Sequence, residues 1–264
     1  MKNYFLFIII LIIFSCSKEK SIVTPDKNVE CRTISIIYGT SYRYEFTYDA
    51  KNELITARKV SPFLEKSYKI GYDNNGRAIS MVETQIDSTE YKIFGVRKYT
   101  IPYMIEYGTG KLPLTYYMYD APDVRHVLRY NTQGQLLRDT YSFNKTDSIY
   151  YRYEYNPSGN RIASFAYEPV KRIEWKQVSS VTFDTSKNSY ANLGLIGYLM
   201  NFDVYSSNNV ISGNTHYIDG SEYQSYNYSY SYSKDNLPVK GTYKLTEKGN
   251  ILYNLEGSYQ YNCP

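Results

Sequence analysis

Tyrosines at every second position constrain this chain more than any other feature of it. Tyr42, Tyr44, Phe46 and Tyr48 alternate with Arg43, Glu45 and Thr47. Tyr151, Tyr153 and Tyr155 alternate with Arg152 and Glu154, and Tyr226, Tyr228, Tyr230 and Tyr232 with Asn227, Ser229 and Ser231. A strand points successive side chains to opposite faces, so a sustained period of two reads as a strand with one buried face. A helix would scatter the same rings around its axis. The chain holds 34 Tyr, 10 Phe and 1 Trp in 264 residues, too many rings for one binding site. Most must therefore pack against each other across strands, where each aromatic pair contributes about 0.2–1 kcal/mol.

The alternating runs end in a recurring turn. It reads Tyr48-Asp49-Ala-Lys-Asn52-Glu-Leu54, Tyr72-Asp73-Asn-Asn-Gly76-Arg-Ala78, Tyr130-Asn131-Thr-Gln-Gly134-Gln-Leu136 and Tyr155-Asn156-Pro-Ser-Gly159-Asn-Arg161. Weaker copies are Val181-Thr-Phe183-Asp184 and Tyr232-Ser-Lys-Asp-Asn236-Leu237. Asp or Asn opens a turn by accepting hydrogen bonds from its own backbone, and Gly supplies the positive φ that other residues resist. Gly76, Gly134 and Gly159 are accordingly expected at hairpin turns. The aromatics at 48, 72, 130, 155, 183 and 232 are separated by 24, 58, 25, 28 and 49 residues, two gaps being about double the rest. One β-hairpin repeated near every ~25 residues is implied, with degenerate copies in the long gaps.

The expected fold is all-β: an antiparallel meander of about ten to fourteen strands, either a curled sheet or a closed barrel. Residues 191–200 (ANLGLIGYLM) are the most apolar stretch beyond the N-terminus and are expected to form a short helix or loop plugging one end. Gly194 and Gly197 weaken a helix there by ~1 kcal/mol each.

The Tyr-Asp-x-x-Gly-x-Ile/Leu pattern resembles the YD repeats of Rhs-type proteins. Set behind the N-terminal segment described next, it is similar to a group of bacterial lipoproteins that carry YD-like repeats in a domain of unknown function with a porin-like fold. The pieces Phe183-Asp184, Ser207-Asn208-Asn209-Val210 and Tyr259-Gln-Tyr261-Asn-Cys263 extend the resemblance over roughly residues 31–264. The family supplies no catalytic residues to carry over.

Lys2 precedes an 11-residue apolar run, Tyr4 to Phe14. A membrane-spanning helix needs ~20 apolar residues, so the run fits a secretory signal better. Ile13-Phe14-Ser15-Cys16 resembles the lipobox of bacterial lipoproteins, with Phe14 larger than the usual residue at its place. That resemblance implies lipid attachment at Cys16 and anchoring in the outer membrane, on its periplasmic face or at the cell surface. Residues 1–15 are then a signal peptide, 16–30 the lipidated cysteine and a tether, and 31–264 the repeat domain.

Cys31 and Cys263 remain, one opening the repeat domain and one near its end. An envelope location permits a disulfide between them. The strands of a flat sheet lie ~4.8 Å apart, while a disulfide tolerates a Cα separation of at most ~7 Å. The pair can bond only if the first and last strands meet; otherwise they are two unrelated thiols.

Catalytic patterns are thin. No Gly-x-Ser-x-Gly, His-Glu-x-x-His or phosphate-binding glycine loop is present. His126 and His216 read as strand residues, and Asp120, Asp123, Glu168 and Glu174 as solvated loop charges. The Asp and Asn of the turns lack the alternation and terminal Glu of a calcium loop. Net charge is +4 without a basic cluster, unlike a nucleic-acid-binding surface. We expect neither an enzyme nor a cofactor or metal. Charges on the polar strand faces would cost a few kcal/mol each against lipid, so the tyrosines are expected inside and the domain outside the bilayer. The expected role is an envelope binding or interaction module, with a glycan or a protein as ligand. The alternatives are a passive surface scaffold and, last, a carbohydrate-active enzyme. The candidate aromatic face is Tyr42, Tyr44, Phe46, Tyr48, Tyr151, Tyr153, Tyr155, Tyr226, Tyr228, Tyr230 and Tyr232, whose flat rings and hydroxyls suit sugar rings.

Overall fold

The computed structural model describes residues 31–87, 97–143, 147–217, 219 and 221–263. The expected signal peptide, Cys16 and the tether lie outside them. Sixteen antiparallel strands run in chain order around a closed barrel. They are β1 (Arg32–Tyr38), β2 (Tyr42–Tyr48), β3 (Leu54–Val60), β4 (Leu64–Tyr72), β5 (Ala78–Asp87), β6 (Arg97–Tyr107), β7 (Pro113–Met118) and β8 (Ala121–Tyr130). The second half is β9 (Leu136–Phe143), β10 (Asp147–Tyr155), β11 (Arg161–Glu168), β12 (Ile173–Lys187), β13 (Asn208–His216), β14 (Glu222–Tyr232), β15 (Pro238–Glu247) and β16 (Asn250–Asn262). The seam is β1 against β16, with Ile36 opposite Tyr259 and Tyr38 opposite Gly257.

Sixteen strands exceed the ten to fourteen expected from the repeats, and the repeat pattern departs from the structure at two places. The gap between Tyr72 and Tyr130 holds the hairpin β6–β7, whose connection lacks the Asp-x-x-Gly signal. The weak copy at Phe183-Asp184 is not a turn at all, because β12 continues through it to Lys187. Asp184 there accepts hydrogen bonds from the amides of Ser186 and Asn209 and from the Tyr232 hydroxyl.

Five turns are built alike. In each, the opening residue's amide donates to the carbonyl four residues on: Asp49 to Glu53, Asp73 to Arg77, Asn131 to Gln135, Asn156 to Asn160 and Ser233 to Leu237. The fourth residue donates back to the first and has positive φ: Asn52 62°, Gly76 72°, Gly134 82°, Gly159 83° and Asn236 61°. Gly fits this point because it has no Cβ to be strained in the left-handed region, and Asn is among the side chains that tolerate it best. The tyrosine before the turn has its own task. Tyr72 donates to the carbonyl of Leu54 at 2.8 Å and Tyr155 to that of Leu136 at 2.9 Å, each residue lying just past the preceding such turn. Adjacent hairpins are thereby fastened side by side, which pairs Tyr with the turn residue in the motif.

The outer wall carries two chains of ion pairs. Arg43, Glu45, Arg58 and Glu65 form a chain of ion pairs across β2, β3 and β4, and Arg152 pairs with Glu154 and Glu174 across β10 and β12. A membrane barrel turns an apolar band outward; here the ion pairs share the exposed surface with Ile79, Val82, Leu137, Ile162 and Val239. A sixteen-strand barrel encloses more space than wall side chains of ordinary size can fill. Two devices fill it here: inward tyrosines on most strands, and a plug.

The plug is the β12–β13 connection, residues 188–207. It enters from the end bearing the five turns, as a 3₁₀ turn (Ala191–Leu193) followed by a short helix α1 (Gly194–Leu199). Leu193, Ile196, Met200 and Val204 are buried against the wall. Asn188 ties the base of the excursion, its side-chain amide donating to the carbonyls of Asp203 and Ser206. Gly197 is there for space: a Cβ on it would sit 2.6 Å from Cβ of Leu193.

Candidate functional site

The plug divides the lumen, and a cavity of about 500 Å³ lies between it and the barrel end that carries the β1–β2 and β15–β16 turns. Its floor is Met200, Asn201 and Phe202. Its wall is aromatic because in-facing positions of neighbouring strands are tyrosines in register: Tyr228 lies opposite Tyr243, and Tyr243 opposite Leu255. The Tyr228 and Tyr243 rings stack at 4.9 Å, Tyr42 meets Tyr253 edge-on at 5.6 Å, and Tyr44 leans on Phe202 at 4.9 Å. Tyr253 is 39% exposed and marks the rim.

Burial raises the tyrosine hydroxyls. Tyr44 and Tyr226 are pushed up to about 12 by desolvation. The cavity wall therefore offers neutral hydroxyls and ring faces near neutral pH.

Two cations line the cavity. Arg161 Nε stands 3.6 Å from Oδ2 of Asp203 on the plug. Lys59 holds its ammonium 5.6 Å above the Tyr44 ring. Burial and the charge of Lys66 opposite it lower the Lys59 pKa. Lys66 is itself paired with Glu83 at 2.9 Å, and no described carboxylate pairs with Lys59.

The residues singled out in the sequence divide into groups. Tyr42, Tyr44, Tyr226, Tyr228 and Tyr230 line the cavity. Phe46 packs on Phe202, and Tyr48 donates to the carbonyl of Thr33. Tyr151, Tyr153 and Tyr155 surround the other side of the plug, where Tyr153 and Tyr198 share a hydrogen bond of 2.8 Å. Tyr232 is bonded to Asp184. Gly76, Gly134 and Gly159 sit at the turn end, away from the cavity, and Cys31 and Cys263 are bonded to each other at that same end. His126 faces inward, stacked on Tyr116 at 4.3 Å and bonded to Asp139 at 2.8 Å. His216 is bonded to the Ser179 hydroxyl, with its Nδ1 unpartnered. Glu174 is on the outer wall, held by Arg152 and Tyr150. Among the described residues no group of three or more His, Cys, Asp or Glu could hold a metal.

Lys59, Arg161, Phe202, Tyr243 and Tyr253 were not legible as site residues. Lys59 follows Arg58, and two adjacent charges hide which of them faces inward. The register of β2 with β3, which sets Lys59 opposite Tyr44, decides it.

Fold and cavity together define a plugged, closed, aromatic-lined barrel. No protein-family signature matches the chain, and no curated protein sequence matches it. Among solved structures it is similar to a porin-like protein from Bacteroides uniformis, with 10% identity, TM-score 0.49, and 88% of this chain and 98% of that one covered. A second porin-like protein, from Bacteroides vulgatus, has 11% identity and TM-score 0.40, with 88% and 99% covered. A Tc holotoxin pore from Photorhabdus luminescens has 10% identity and TM-score 0.30, covering 81% of this chain and 14% of that one.

Proposed function

We propose that the chain is an envelope binding module, lipid-anchored at Cys16, whose barrel takes a saccharide into the tyrosine-lined cavity. The observation that carries this reading is the cavity itself. Its volume of about 500 Å³ is within the range of small-ligand sites, roughly 300–1,000 Å³. Its walls are ring faces tipped with neutral hydroxyls, which stack on C–H faces of sugars and hydrogen-bond to their oxygens. The lipobox-like Ile13-Phe14-Ser15-Cys16 and the resemblance to lipoproteins with YD-like repeats support placement on the outer membrane, at the periplasmic face or the cell surface. The reading assigns no chemistry to the cavity and no nucleic-acid partner.

The test is a panel of oligosaccharides titrated into the full chain in detergent, followed by tyrosine fluorescence. Tyr42→Ala and Tyr253→Ala, at the rim, should weaken whatever binds by about tenfold, the equivalent of losing one stacking contact. A panel without any binder would remove the saccharide reading and leave a passive scaffold.

A further inference from the structure

Among the described charges that line the cavity, Lys59 is the one without a described counter-ion. Arg161 is answered by Asp203, whose Oδ2 also accepts from the Ser206 hydroxyl at 2.7 Å. On the strand beside Lys59, Lys66 is answered by Glu83, which is only 7% exposed. Lys59 instead projects from β3 over the Tyr44 ring, into the space bounded by Tyr42, Tyr228 and Tyr243. An ammonium taken partly out of water without an anion is unfavourable, and the Tyr44 ring face beneath it answers the charge only in part. It lines the cavity in which a ligand would stand.

We propose that the cavity selects acidic saccharides, with Lys59 pairing the carboxylate or sulfate of a sugar whose ring lies against the tyrosines. The inference rests on the saccharide reading and narrows it. Tyrosine faces alone bind neutral and acidic sugars alike. An unpaired ammonium in a partly dry site makes a charge-assisted bond to an anion, stronger than the same bond made in water. Asp203 opposes an anion, but its charge is held by Arg161 on the plug side, so the lysine side of the cavity is the positive one.

The experiment compares two ligands of the same sugar backbone, one charged and one neutral: an oligogalacturonate and its methyl ester, with a sulfated oligosaccharide as a second anion. They are titrated into the full chain in detergent by calorimetry. The free acid should bind about tenfold more tightly than the ester, the worth of one charge-assisted bond. Its affinity should fall with added salt while that of the ester does not. Lys59→Met keeps the aliphatic stem and should bring acid and ester to equal affinity. Lys59→Gln serves if the methionine variant fails to fold, as judged by its circular dichroism. Equal binding of acid and ester by the unsubstituted protein overturns the selectivity and leaves the saccharide reading standing. Preference for the acid that survives both substitutions overturns the role of Lys59. Binding of neither anion nor ester, while other neutral sugars bind, again removes only the selectivity. No binding by any sugar removes both readings.

Discussion

Cys31 and Cys263, 232 positions apart in the chain, have their Cα atoms 4.2 Å apart and are joined by a disulfide across the seam of the barrel. The link sits where β1 and β16 begin and end their pairing, beside Arg32 and Asn262. It closes a ring that backbone hydrogen bonds already close. Its contribution is therefore to the unfolded chain, whose ends it holds together.

Cys31→Ser, or reduction of the wild-type chain, should lower the unfolding free energy by up to roughly 5 kcal/mol on the chain-entropy account of a loop this long. The folded spectrum should stay the same, since β1 and β16 remain paired. Denaturant titration with and without reductant measures it. A loss under about 1 kcal/mol would mean that the unfolded ends stay near one another without the bond.

Several polar contacts tie the plug to the wall, and one pair is buried among them. Tyr198 on α1 donates to Oδ2 of Asp139 on β9 at 2.8 Å, and Asp139 is 2% exposed. Tyr198→Phe removes that donor and the Tyr153 partner together. It should cost about 1–3 kcal/mol, the range for leaving buried polar groups short of a partner. The amides of residues 194–199 should exchange faster, while those of the β10–β11 hairpin barely change. Uniform acceleration over the whole barrel would show that the plug and wall unfold as one unit.

Alkaline pH should unfold this protein sharply. The hydroxyls of Tyr44, Tyr48, Tyr72, Tyr103, Tyr205 and Tyr226 are raised by burial to about 12 from the ordinary 10.0. Tyr38, Tyr190 and Tyr228 are raised further for the same reason. A raised folded value means that the native state keeps protons the unfolded state has released. Stability is then fully present below pH 10 and is lost as pH climbs from 10 toward 12. Tyrosinate absorbance and circular dichroism, followed together, should change in one step over that interval. A gradual absorbance rise with the fold intact would show the lumen open to hydroxide.

Cys16 carries the anchoring proposal and lies outside the described residues. Cys16→Ala should abolish incorporation of labelled palmitate and move the protein from the membrane fraction to the soluble one. Retained label in that variant would remove the lipoprotein reading.

The alternation of Tyr42 to Tyr48 and of Tyr226 to Tyr232 determined by itself that these segments are strands with one inward face, because strand geometry acts on neighbouring residues. Asp73 to Gly76 and Asn156 to Gly159 likewise carry their turns in four residues. The apolar content of residues 191–200 foretold a plug, since so apolar a stretch must be buried wherever the chain passes. Closure was different. Whether β1 meets β16 depends on twist and stagger summed over the whole sheet, and no local pattern encodes that sum. The strand count fell short where β6 and β7 turn without the motif, and the repeat position was misplaced where β12 runs straight through Phe183-Asp184. The cavity was least legible of all. Lys59, Phe202 and Tyr253 lie on three separate elements, and only the closed barrel with its plug in place sets a lone ammonium, a floor and a rim around one space.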